Sequence, residues 1–129
     1  MIVCESLDTD YQTRFSDGER SAISDTTPEH GGTGQGFNPH ALLEAALGNC
    51  IAIVTRMYAK KHGIALDGLT VTVKLNRDDP AKAVFEYSLE YRGDISPEVR
   101  EKLERVAKAC PVHKTLCREL EFRQVEHRP

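Results

Sequence analysis

Residues 38 to 63 constrain this chain more than any other stretch. Asn38-Pro39 supplies a helix N-cap followed by the residue type favoured in a first turn. Gly63 supplies a left-handed stop, and Lys60, Lys61 and His62 sit where the helix dipole favours cations. The interval predicts one helix of about six turns. Leu43, Ala46, Leu47, Cys50, Val54 and Met57 recur at spacings of three and four, and Leu42, Ile53 and Tyr58 widen that stripe. Cys50 is therefore expected to point inward. Glu44, Asn49 and Arg56 interrupt the segment and would be costly in a bilayer, so a soluble core helix is expected rather than a membrane span.

After this helix, LTVTVKL (69 to 75) and AVFEYSLEY (83 to 91) alternate with period two around NRDDPAK, which predicts an antiparallel hairpin. Ser96 and Pro97 open a second helix with a stripe of Val99, Leu103, Val106 and Ala107, and Pro111 ends it near Cys110 and restarts a short third one. ELEFRQV (119 to 125) reads as a last strand with Leu120 and Phe122 on one face. Before the long helix, VCESL, YQTRF and RSAIS read as short strands, and TTPEHGGTGQG as a flexible or site-covering loop. The loop lacks the lysine of a P-loop and the glycine spacing of a dinucleotide fingerprint. The fold class is α+β, one domain over 1–129.

A net charge of -3 with no lysine- or arginine-rich run leaves no footprint for nucleic acid or an anionic membrane, so small molecules or proteins are the expected partners. The start, MIVCESLDTDYQ, has no cationic stretch followed by an apolar run, so no secretory signal is expected and the cytoplasm is the expected compartment. In a reducing cytosol the four cysteines are not expected to form a structural disulfide framework. Metal binding, redox chemistry or simple burial remain open to them.

Cys50 alone fits a small buried hydrophobe as well as a nucleophile. Cys110, if it caps a helix begun by Pro111, gains free amides and the dipole, so local physics nominates it as the lower-pKa thiol. Cys110, His113 and Cys117, at i, i+3 and i+7 with Cys50 as a fourth ligand, have zinc-ligand types without zinc-ligand spacing. His113 is expected to cap, pack or tune a thiol. Cys4 and Cys117 carry no sign of activation.

NPHALLEAALGNCIAIVTRMYAKKHGIALDGLTVTV followed by ACPVHKTL resembles the OsmC/Ohr family of thiol peroxidases over roughly residues 25 to 125. The resemblance implies an intertwined homodimer, with long central helices wrapped by antiparallel sheets and active sites at the interface. It further implies Cys50 as the peroxidatic cysteine and Cys110 as the resolving one, reversing the local ranking. Cys50 would attack the O–O bond of an organic hydroperoxide, Cys110 would form a Cys50–Cys110 disulfide, and a dithiol or lipoyl-type reductant would restore both. No cofactor is implied.

Leu43, Leu47 and Met57, with His113 nearby, would line an apolar site suited to alkyl or fatty-acid hydroperoxides. Relatives usually carry a glutamate just after the helix-opening proline, where this chain has His40 and Ala41. Glu44, one turn on, is the candidate replacement. Of Arg14 and Arg20, Arg20 is the candidate activating arginine. Three other readings compete: an OsmC-fold binding module for an apolar ligand, a zinc-bound structural domain, and a Cys110–His113 hydrolase.

Overall fold

The structure, a computed structural model, describes residues 1–126. In chain order the elements are β1 (Val3–Ser6), β2 (Thr13–Ser16), β3 (Ser21–Ser24), a one-turn 3-10 helix (Pro28–His30), α1 (Pro39–Lys61), β4 (Leu66–Asp79), β5 (Lys82–Gly93), α2 (Pro97–Lys108) and α3 (Pro111–Leu116). The chain divides into two compact units. The first joins Met1–Ala46 with Val73–Tyr87, and the second joins Leu47–Thr72 with the chain from Ser88 onward.

In the first unit β1, β2 and β3 form an antiparallel meander, with Val3 opposite Ser16 and Thr13 opposite Ser24. The loop after β3 is tied down rather than flexible. Ser24 bridges to Phe37 in parallel, and Asp25, only 3% exposed, gathers the chain around its carboxylate. That carboxylate accepts the amides of Thr26 and Thr33, the Gln12 Nε2 group at 3.3 Å, and the Thr33 hydroxyl. Gly32 is needed there, because a Cβ would stand 2.2 Å from the Thr26 carbonyl oxygen. Among the described residues of this unit only Ser24 and Asp25 are buried, while Ile23, Phe37, Leu43 and Val84 are exposed.

α1 begins and ends where its sequence signals stand. The Asn38 Oδ1 atom accepts the His40 amide at 3.0 Å, and Gly63 takes φ 62 just past the last turn. Its buried stripe differs from the expected one. Leu47, Ile51, Thr55 and Ala59, each four residues apart, are buried, whereas Leu43, Ile53 and Met57 are exposed and Cys50 is half-buried. Two apolar faces on one helix cannot be ranked by periodicity alone. The helix is long and apolar enough to cross a membrane by length and composition, but its Leu47–Ala59 face lies in the core of the second unit and the Glu44 carboxylate is bonded to the backbone of β4.

β4 and β5 pair as a two-stranded sheet. They meet at Pro80-Ala81 and are therefore antiparallel, so most of the predicted loop NRDDPAK is strand. The tight turn holds because the Asp79 Oδ1 atom accepts the Ala81 amide at 2.8 Å. The predicted last strand is absent: residues 119–126 pair with no strand among the described residues, and Phe122 is 90% exposed. Alternation supplies a strand's faces but not the edge it must pair with. The apolar core of the second unit is Leu47, Ile51, Ala59, Leu103, Ala107 and Cys110.

Candidate active site

The second unit brings two thiols together from opposite parts of the sequence. Cys50 lies in the middle of α1, half-buried and on the same line of the helix as the exposed Leu43 and Met57, seven residues to either side. Cys110 lies at the start of α3 and is completely buried. Both thiols are free, and the Cys110 thiol is within hydrogen-bonding reach of Cys50.

The sequence explains how Cys110 is presented. Ser96 caps α2 and Pro97 occupies its first turn, and the Leu103 and Ala107 face of that helix is buried. Pro111 then forces a break after Lys108, and Cys110 adopts the extended backbone of an N-cap (φ -63, ψ 143). Its Sγ atom accepts the His113 amide at 3.2 Å, so the thiol satisfies one of the free donors of α3. His113 thus acts on Cys110 through its backbone. The ring of His113 faces the other way, with Nδ1 3.9 Å from the exposed Cys117 thiol.

The Cys110 pKa is raised, opposite to the direction that the helix cap alone leads one to expect. Burial is the largest cause, opposed by the His113 amide and reinforced by the side chain and charge of Cys50. The cap and dipole do act in the expected direction, but on a six-residue helix they are too weak to offset the loss of water around sulfur. Cys110 therefore keeps its proton in the neutral range.

The remaining candidates separate. Leu47 is 1% exposed and belongs to the core of the second unit, whereas Leu43 and Met57 are 45% and 66% exposed. Glu44 commits its Oε1 atom to the Leu75 amide at 2.7 Å and so braces α1 against β4 within the first unit. Arg20 stands just before β3 in the first unit, where its Nη1 atom lies 3.3 Å from both Asp17 and Glu19 at an exposed turn. Arg14 pairs with Glu5 across β1 and β2. Among the described residues, no group of three or more His, Cys, Asp or Glu side chains is placed to hold a metal ion. The zinc arrangement of Cys50, Cys110, His113 and Cys117 is not assembled.

Three features escaped the sequence reading. Asp25 gave only an acidic residue before a glycine-rich loop as its signal. Thr55 is fully buried and its Oγ1 atom has no hydrogen-bond partner among the described residues. Tyr91 has its phenol pKa raised by burial and by Glu104, while the Arg100 guanidinium lies 5.4 Å from its ring centre.

A family model described as OsmC-like protein matches residues 32–124. No curated protein matches the chain. Among solved structures, an OsmC-like protein from Mycoplasma pneumoniae is similar at 24% identity and TM-score 0.77, covering 90% of this chain and 85% of that one. A putative osmotic stress induced and detoxification response protein from Psychrobacter arcticus is similar at 21% identity and TM-score 0.71, covering 87% and 85%. The organic hydroperoxide resistance protein OhrB of Bacillus subtilis is similar at 20% identity and TM-score 0.63, covering 91% and 89%. At these identities the structural likeness establishes the fold.

Proposed function

The chain belongs to the OsmC-like family, and on that premise we propose that it is a thiol peroxidase that reduces organic hydroperoxides with Cys50 and Cys110. The observation that carries this reading is the pairing of two free thiols about sixty residues apart in sequence, one half-buried and one fully buried. The half-buried thiol is reachable by a peroxide. The buried one is kept protonated until it is needed.

In this mechanism the Cys50 thiolate attacks the terminal oxygen of the hydroperoxide. The O–O bond breaks, the alkoxide takes up a proton and leaves as an alcohol, and Cys50 becomes a sulfenic acid. Cys110 then attacks the Cys50 sulfur. The S–S bond forms, the S–O bond breaks, and the proton carried by Cys110 leaves with the hydroxide as water. A dithiol or lipoyl-type reductant reopens the disulfide by thiol exchange and is itself oxidised to a disulfide. The raised Cys110 pKa supports this assignment, because a protonated buried thiol is a poor first nucleophile and a ready proton source.

The same reading takes the protein as a cytoplasmic homodimer. The first unit buries no apolar side chain among its described residues, and Leu43, Ile53 and Met57 form an uncovered face on α1. A second copy supplies the missing cover, and its sheet edge gives the unpaired segment 119–125 a partner. Arg20 is the activating cation in this scheme, since the exposed ion pairs it must give up contribute little. The test is peptide mass spectrometry of reduced protein after one equivalent of cumene hydroperoxide, with Cys50→Ser as control. A Cys50–Cys110 disulfide absent from the control is expected. Two thiols that stay reduced in folded protein would refute the peroxidase reading.

A further inference from the structure

The C-terminal half of α1 borders a cleft, which Cys50 does not line. Arg56, Met57, Ala59 and Lys60 of α1, with Ile64 and Leu66 from the turn into β4, line a half-open cleft of about 390 Å³ within the second unit. That volume falls in the range of small-molecule sites. Met57, Ala59, Ile64 and Leu66 make the walls apolar, while Arg56 and Lys60 stand one helical turn apart at the rim.

The two cations are what the fold leaves unexplained. Among the described residues neither is paired with a carboxylate. Like charges at i and i+4 repel, and the chain as a whole is acidic, so they do not reflect a generally basic surface. The helix dipole accounts for Lys60 and Lys61 in the last turn, but its effect has faded by Arg56. An anion shared between the two removes their repulsion, and two full positive charges outweigh the partial negative charge of the helix end. An inorganic anion would leave the apolar walls unused, and a neutral chain would leave the cations unpaired.

We propose that this cleft binds the carboxylate end of an acyl chain, with Arg56 and Lys60 holding the carboxylate and Met57, Ile64 and Leu66 packing the first methylenes. The guanidinium fork suits a carboxylate, and the ammonium adds a second charge-assisted bond. Arg56 and Lys60 lie on the flank beside the Leu43–Ile53–Met57 face, and Met57 belongs to that face and also lines the cleft. Joined to the peroxidase reading, the cleft selects carboxylate-bearing hydroperoxides, yet binding itself requires neither thiol.

The test is an NMR titration of the full chain carrying Cys50→Ser, so that no turnover intervenes, with dodecanoate kept below its micelle concentration. Saturable shifts are expected at Met57, Ile64 and Leu66, with dodecan-1-ol binding at least about tenfold more weakly, the scale of a lost charge-assisted hydrogen bond. Arg56→Gln together with Lys60→Gln should weaken dodecanoate by about tenfold or more and leave the alcohol unchanged, and Arg56→Gln alone should fall between. Both positions are exposed, so the fold is expected to survive, and a thermal melt of each variant checks it. The proposal is overturned by equal binding of acid and alcohol, by a double variant that binds dodecanoate like the parent, by shifts confined to Leu43 and Ile53, or by no saturable binding.

Discussion

Ser96-Pro97 and Cys110-Pro111 begin two helices in nearly the same way. Each opens on a residue in extended backbone, each is followed by proline, and each accepts the amide three residues on at 3.2 Å. Their surroundings differ completely. Ser96 is exposed, while Cys110 is completely buried and faces a second thiol. One motif therefore serves as an exposed cap in one place and as a buried cap facing a second thiol in the other, which the proposed mechanism uses as a redox group. What distinguishes them is the burial supplied by the Leu103–Ala107 face and by α1, which no local reading of either tetrapeptide contains.

The largest expected effect comes from making the second start chemically like the first. In Cys110→Ser the hydroxyl can still accept the His113 amide, so the helix start is expected to survive. Peroxide turnover should nevertheless fall by about a hundredfold or more, the scale set by losing a covalent step. Mass spectrometry should then find Cys50 as a persistent sulfenic acid, trapped by dimedone, with no Cys50–Cys110 disulfide. Unchanged multiple-turnover rates with a dithiol reductant would remove Cys110 from the mechanism.

The reverse exchange sharpens the comparison. Ser96→Cys places a thiol at a helix start in water, where amides and dipole favour the thiolate without a burial penalty. Iodoacetamide at neutral pH should therefore modify the introduced thiol well before Cys110 in folded, reduced protein, as peptide mass spectrometry can follow. Comparable rates at the two positions would show that burial is not what raises the Cys110 pKa.

The raised Cys110 pKa also sets a pH dependence with a definite sign. The folded state holds a proton that the unfolded chain releases above the ordinary thiol value of 9.0. The stabilisation is present below that value and is lost as pH rises through the folded pKa. Asp25 acts at the other end. Its pKa is lowered, first by the Thr33 hydroxyl, so its contribution is present above the ordinary 3.8 and is lost as pH falls below it. Thermal melts across pH should show Cys110→Ser flattening the alkaline decline and Asp25→Asn flattening the acid one. Exchanged effects would mean that one of the two directions is wrong.

Much of this was legible where a signal is local. Asn38, Pro39 and Gly63 place the ends of α1, and Ser96, Pro97 and Pro111 place the starts of α2 and α3, because caps and prolines act within one turn. Signals that depend on distant neighbours misled. The stripe on α1 was shifted because Leu43, Ile53 and Met57 are as apolar as the residues that are buried. Segment 119–125 has a strand's alternation without a partner edge in the described chain. Asp25 was missed because its ligands, Gln12 and Thr33, stand on either side of it in sequence and only the fold makes them converge. At the candidate site, the local cap argument left out the burial of Cys110, which comes from distant parts of the chain and which no reading of the segment around it contains.

The smallest effect tests whether the first helix start is only a cap. Ser96→Ala removes the acceptor of the Val99 amide and leaves Pro97 and the buried face of α2 intact, so the loss should be about 1 kcal/mol of stability. Denaturant unfolding measures it as a lower midpoint with an unchanged slope. Hydroperoxide turnover at a temperature where both proteins are folded should be unaltered. A large change in turnover would mean that the α2 cap positions Cys110, since only Ala109 separates the end of α2 from the thiol. The two starts would then be one coupled device. With turnover unchanged and only stability lost, the difference between them lies in the burial around Cys110 and in the Cys50 thiol it faces.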